Sequence, residues 1–153
     1  MSGFLQIAQS ILAQPTAPFF EGAVREEIVR QLARFAHVSV EIDGFGNLIA
    51  LYRRGTLEPQ FAFAAHMDHP GYVYEKAGSA GAPGRVFLGG VPEVYRDKNP
   101  PTRDFEGFAM WDLPACEVRE GRIYSRACDD LIGCAAIVAM FEELEETGAE
   151  ASV

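Results

Sequence analysis

The chain has 153 residues, 48% of them hydrophobic and 23% charged, the balance of a globular domain long enough to bury a real core. Its 13 basic and 22 acidic side chains leave a formal charge of −9, which argues against nucleic acid and anionic membranes as partners and suits a site that collects cations, though solubility alone would explain the same excess. No apolar run reaches the roughly 20 residues of a membrane span, and no positive region precedes the apolar residues of the N-terminus, so no signal peptide is expected.

Phe4, Ile7, Ala8, Ile11 and Leu12 recur at helical spacing, and the pattern stops before Pro15. PTAPFFEG is a turn-rich connector. AVREEIVRQLARF sets Val24, Ile28, Leu32 and Phe35 on one face, with Arg25, Glu26, Arg30 and Arg34 around the rest, and specifies a second helix. His37 follows in a connector and is expected at the surface or an interface. VSVEI alternates, so Val38, Val40 and Ile42 share a strand face. DGFGN is a turn, with Gly44, Gly46 and Asn47 able to take left-handed conformations. LIALYR is a second strand, and the two form a hairpin. FAFAA, residues 61–65, has the composition of a strand buried on both faces.

Residues 71–121 change character. Much of the Gly and Pro falls here, in AGSAGAPG, GGVP and KNPPTRD, between short strand-like pieces: YVYEK, RVFLG, FEGFAMW, CEV and RIYS. This is a small β-rich insertion. From Leu131 the pattern is helical again, with Ile132, Ala135, Ala136, Ile137, Met140, Phe141 and Leu144 forming a wide apolar stripe that ends in the charged EELEETG. The expected organisation is 1–70 and 122–153 as two parts of one α/β unit, with 71–121 inserted between them. The element order suits an α/β sandwich with a mixed sheet.

Two motifs carry chemistry. His66 and Asp68 follow directly on FAFAA, at the strand end where α/β sheets place ligands. Their i, i+2 spacing projects them to one side of an extended run. A metal-binding histidine needs its second ring nitrogen held by an acceptor, often a carboxylate, though a strand-end histidine bonded to a turn aspartate would look the same. The second motif is RACDDLIGCAAIVAM, where Asp129 and Asp130 precede an apolar helix. Helix capping explains one aspartate. A carboxylate can also bridge two metal ions that together activate a water. Cys116, Cys128 and Cys134 are odd in number and lack CxxC spacing, so neither a disulfide framework nor a zinc knuckle is expected, and a reducing cytoplasm is the default.

HMDHPG at a strand end, an intervening β excursion and GRIYSRACDDLIGCAAIVAMFEEL together resemble the dizinc aminopeptidase superfamily. The likeness is greatest to its glutamyl and deblocking aminopeptidases, which form tetrahedral assemblies. VEIDGFGNLIALY and PTAPFFEGAVREEI add to the match, which covers most of this chain and about the first half of such an enzyme. The resemblance implies a three-layer zinc-exopeptidase-like sandwich, incomplete here. It implies that His66 is a ligand of one zinc, that Asp68 is the catalytic-site residue orienting it, and that Asp129 bridges both metals. Asp130 is then structural, next to a peptide bond that is often cis in such enzymes. Cobalt or manganese would suit the same donors as zinc. The implied substrate is a peptide, and the implied partner is a second copy or a segment covering the cut sheet. His69 receives no role, and strand alternation turns it away from His66.

The family chemistry also needs a Glu-Glu pair, a later acidic ligand and a later histidine. EELEET does not supply them: Glu142 follows Asp129 by 13 residues, about 20 Å along a helix. No histidine follows Asp129. The chain alone is therefore expected to be inactive, with the metal absent or partly held. A non-catalytic truncated paralogue acting as an interaction module is one alternative. A zinc carboxypeptidase or deacylase of the same superfamily is another, less suited to an insertion placed between the two motifs.

Overall fold

The structure, a computed structural model, describes residues 3–56, 58–59, 61–74, 84–92 and 101–153. Helices α1 (Gly3–Leu12), α2 (Gly22–Leu32) and α3 (Cys128–Thr147) pack on one another. The periodicity of each sequence decides which face is buried: Ile7, Ala8, Ile11 and Leu12 from α1, and Val24, Ile28 and Leu32 from α2. On α3 the buried stripe is Leu131, Cys134, Ala135, Val138 and Phe141. It is rotated from the expected one: Ile132, Ile137 and Met140 are half-buried and Ala136 is exposed.

Strands β1 (Val38–Ile42) and β2 (Leu48–Arg54) form the expected antiparallel hairpin, Val38 pairing with Tyr52 and Ile42 with Leu48. Its turn is built by side chains. Asp43 Oδ1 accepts from the Phe45 and Asn47 amides at 2.9 and 2.8 Å, and Asn47 Nδ2 donates to Oδ2 at 2.8 Å. These bonds, the Asn47 side chain's first, hold the Asp43 carboxyl below its ordinary range. Gly46 completes the turn at φ +90°, where a side chain would be strained. Leu48, Ala50 and Tyr52 turn toward the core. Fully buried Tyr52 ties sheet to helix, its hydroxyl lying 3.1 Å from both the Leu144 and Ala149 carbonyls. A two-residue strand at the C-terminal end, β9 (Ala151–Ser152), adds antiparallel to β2.

The β-rich stretch forms a four-stranded sheet in the order β4-β3-β6-β5 and a separate β7-β8 hairpin. The strands are β3 (Gly71–Tyr74), β4 (Arg85–Leu88), β5 (Thr102–Asp104), β6 (Phe108–Trp111), β7 (Glu117–Arg119) and β8 (Arg122–Tyr124). β5 falls where the sequence read only loop. The expected AGSAGAPG and KNPPTRD loops and the end of YVYEK lie wholly or partly outside the described residues. Every described strand pair is antiparallel, so no described pair supplies the parallel member of a mixed sheet. Buried Arg126 joins this region to the helices, donating to the Leu12 and Gln14 carbonyls at 3.0 and 2.5 Å and to Met110 Sδ at 3.4 Å.

One expectation fails. FAFAA is not a doubly buried strand: residues 61–65 belong to no ladder, and Phe61 and Phe63 are 70% and 59% exposed. Their apolar composition was the signal for burial. Among the described residues no strand flanks the stretch, and only Ala65, at its end, packs against the core.

Glu27 is the charged knot between α1 and α2. Arg30 donates to both its oxygens at 2.6 and 2.8 Å, Gln31 donates at 2.8 Å, and Ser10 also donates. The Arg30 bonds, reinforced by Ser10 and Gln31, outweigh burial and lower the Glu27 carboxyl to about 2. A depressed pKa stabilises the fold above the unfolded value of 4.5, and that stability is lost as pH falls toward 2. Glu27→Gln is therefore expected to cost about 1–2 kcal/mol at pH 7 and little near pH 2. Urea unfolding at the two pH values checks this; an equal cost at both contradicts it.

Candidate metal centre

The backbone of residues 66–67 is pinned from two sides. The Thr16 hydroxyl donates to the Met67 carbonyl at 2.8 Å, and the Cys134 thiol to the His66 carbonyl at 3.4 Å. Gly133 brings α3 this close: a Cβ there would stand 3.0 Å from Ala65 Cβ and run into the Asp130 carboxylate. Burial, helped by the Asp130 charge, pushes the Cys134 thiol up to about 12. It stays protonated, a packing group and neither a nucleophile nor a ligand.

On this frame His66 sits between two carboxylates. Its Nδ1 lies 3.1 Å from Asp68 Oδ1 and 3.2 Å from the Asp68 carbonyl. Its Nε2 lies 3.1 Å from Asp129 Oδ1, on a residue 63 positions away. Burial lowers the imidazole's proton affinity, but the Asp68 charge and the Asp129 hydrogen bond and charge outweigh it, and its pKa lies above the ordinary 6.5. Asp129 is 96% exposed at its side chain. The Asp129–Asp130 peptide bond is cis, and both residues depart from helical geometry, so the regular part of α3 begins at Leu131. The cap position itself is Ala127, which makes no side-chain capping bond.

The glutamates at the end of α3 lie apart from this cluster. Glu142 pairs with Arg34 at 2.7 Å. Glu145 accepts from the Ala36 amide at 2.9 Å and lies 3.0 Å from His37 Nδ1. Both glutamates thus tie the end of α3 to the α2–β1 connector, a tertiary use that a charged helix end does not advertise in sequence. His69 is buried against the edge of Trp111, ring centroids 6.1 Å apart. Its ring lies beside the Asp129 backbone, and burial outweighs that contact and the Asp68 and Asp129 charges, pushing its pKa down.

Among the described residues no group of three or more His, Cys, Asp or Glu side chains is arranged to hold a metal. His66 and Asp129 nevertheless fit as two ligands of one. A tetrahedral zinc at about 2.0–2.1 Å from imidazole nitrogen and 2.0–2.2 Å from carboxylate oxygen separates those atoms by about 3.3–3.5 Å, a few tenths more than a hydrogen bond between them. The observed gap is 3.1 Å.

No family model matches the sequence. Two solved structures share the fold. One is the Pyrococcus horikoshii TET1 peptidase described as assembling into a tetrahedron or a large octahedral shell: TM-score 0.73 and 20% identity, over 99% of this chain and 59% of that one. The other is PhTET1-12s, a dodecamer: TM-score 0.70 and 20% identity, over 95% of this chain and 56% of that one. The chain spans a little over half the length of each, and at this identity the likeness establishes a peptidase-like α/β fold. No described helix is long and apolar enough to cross a membrane.

Proposed function

We propose that the chain is the N-terminal portion of a metal-dependent aminopeptidase, in which His66 and Asp129 hold metal and Asp68 positions His66. The observation that carries this is the 3.1 Å approach of His66 Nε2 to Asp129 Oδ1 at the mouth of the fold. Asp68, accepting from Nδ1–H, fixes the tautomer that leaves Nε2 free to face a cation. Asp129, almost fully exposed, has a second oxygen free for a second ion. When bound, the metal ions, zinc or in its place cobalt or manganese, supply Lewis acidity and a water that is nucleophilic near neutral pH. Asp130 holds the turn between Asp129 and α3, its carboxylate lodged beside Gly133.

On this proposal residues 1–70 and 122–153 are two parts of the catalytic domain, and 71–121 is an insertion. The substrate is a peptide with a free N-terminus, and the complete protein assembles from copies of itself, as the two TET structures do. The free thiols suit a reducing compartment such as the cytoplasm. A second reading, a non-catalytic interaction module, is favoured by one observation: among the described residues no group of three or more His, Cys, Asp or Glu side chains is arranged to hold a metal.

Intact mass, zinc content and hydrolysis of an aminoacyl-anilide by the native protein separate the two. A polypeptide longer than these 153 residues, with two metals and metal-dependent turnover, is the expected result. A native protein of this length with neither metal nor turnover would contradict the proposal and leave the module.

A further inference from the structure

His66 and Asp129 stand on segments with no ladder between them: His66 belongs to no strand, and Asp129 precedes the regular turns of α3. Their side chains are half and almost wholly exposed, so the packing of those side chains does not set the 3.1 Å between Nε2 and Oδ1. A thiol is a weak donor, and the 3.4 Å bond from Cys134 to the His66 carbonyl ties the two segments only loosely. Two buried side chains tie both of them to one short piece of backbone, residues 12–16. Thr16 is fully buried, and its hydroxyl donates to the Met67 carbonyl at 2.8 Å, one residue from His66. Buried Arg126 lies three residues before Asp129. Its guanidinium donates to the Leu12 and Gln14 carbonyls at 3.0 and 2.5 Å, and its own amide is held by the Pro114 carbonyl at 3.1 Å. Fully buried Ala17 continues the connector against Gly71, where an added Cβ would stand 3.0 Å from that of Ala17.

We infer that residues 12–16 form a bracket that sets the spacing of His66 and Asp129, with Thr16 and Arg126 as its positioning residues. Thr16 holds the His66 side and Arg126 the Asp129 side. Leu12 ends α1, where carbonyls lack helical partners and a cation meets the negative end of the helix. Burying a charge is costly unless its hydrogen bonds are met, and these carbonyls meet them. Helix capping alone would account for Arg126. It does not account for Thr16, which grips the other motif from the same short connector. A planar guanidinium that reaches two carbonyls fixes orientation as well as distance, which the point charge of a lysine does not. With Arg126 held at both its amide and its guanidinium, the connector and the turn carrying Asp129 move as one. The significance of the bracket rests on the metal role proposed above for His66 and Asp129; its geometry does not.

The test has two readouts on the 153-residue chain, one of them free of metal. In the metal-free chain, proton NMR follows the nuclear Overhauser contact between the His66 ring and the Asp129 side chain. Cobalt affinity is then measured on the same samples. Thr16→Val keeps the shape and removes the hydroxyl, Thr16→Ser keeps the hydroxyl, and Arg126→Lys keeps the charge and removes the fork. Glu27→Gln loosens α1 against α2 away from both tethers and shows what lost stability alone does. The contact is expected in the unsubstituted chain, in Thr16→Ser and in Glu27→Gln. It is expected to weaken or vanish in Thr16→Val and Arg126→Lys, with cobalt bound about 10-fold more weakly, the lower end of the range for groups that orient a ligand. An undiminished contact in either of these variants, once folded, overturns the inference, and Thr16→Val alone decides if Arg126→Lys does not fold. Absence of the contact from the unsubstituted chain, or an equal loss in Glu27→Gln, overturns it too. A contact that behaves as expected in a chain that binds no cobalt upholds the bracket and defeats the metal reading.

Discussion

His66→Ala is expected to abolish the proposed metal-dependent peptide hydrolysis of the complete polypeptide, a loss of more than about 100-fold. The magnitude follows from the positions of the groups. Residues that only orient a metal ligand cost about 10–100-fold when removed. Asp68, whose Oδ1 lies 3.1 Å from His66 Nδ1, belongs to that class, and Asp68→Ala is expected to fall in that range. His66 is proposed as the ligand itself, so its loss lies beyond the upper end, and Asp129→Asn joins it. The side chains of His66 and Asp129 are half and almost wholly exposed, so both variants keep the fold. Steady-state turnover with metal content measured on the same samples checks the series. Turnover unchanged in His66→Ala removes His66 from the site.

The largest loss of stability is expected at Tyr52. Its ring is fully buried and stacks on Phe141 with centroids 6.4 Å apart. Its hydroxyl bonds the carbonyls that close the end of α3. Tyr52→Ala leaves a ring-sized cavity and takes the hydroxyl donor from the Ala149 carbonyl, while the Leu144 carbonyl keeps the Gly148 and Ala149 amides; it is expected to cost about 3–5 kcal/mol, a large part of the 5–15 kcal/mol typical of a domain. Tyr52→Phe keeps the ring and removes only the hydroxyl, about 1 kcal/mol. Urea unfolding of the two variants separates packing from hydrogen bonding. A cost for Tyr52→Ala no larger than that of Tyr52→Phe would contradict this account of the core. The same residue holds β2 to the C-terminal end of α3.

What could be read from the amino acids follows the range of each signal. The three helices and the DGFGN hairpin depend on spacing and local bonding, so Val24, Ile28 and Leu32, or Asp43 and Asn47, announce them directly. The tilt of α3 does not. Its apolar residues nearly encircle the helix, and packing alone selects Leu131, Cys134 and Val138 over Ile132 and Met140. Phe61 and Phe63 read as buried because they are apolar, yet burial is a property of neighbours, and no described strand flanks them. The meeting of His66 with Asp129 was legible only as a resemblance between motifs 63 residues apart. Arg126 passed unnoticed: nothing in RACDD distinguishes an arginine that donates to two carbonyls of the α1 connector from one in solvent. Glu145 and His37 are alike in this, since each looks like surface until the other is placed beside it.

The central claim is that the imidazole of residue 66 and the carboxylate of residue 129 act together on one cation. Cobalt titration of the 153-residue chain, followed by absorption and calorimetry, tests it most directly. The account predicts one weak site per chain, lost in His66→Ala and in Asp129→Asn and kept in Glu142→Gln. The double variant should lose no more affinity than either single one, since both remove the same interaction. Cobalt binding that survives both single substitutions, or that depends on the cysteines instead, would contradict it.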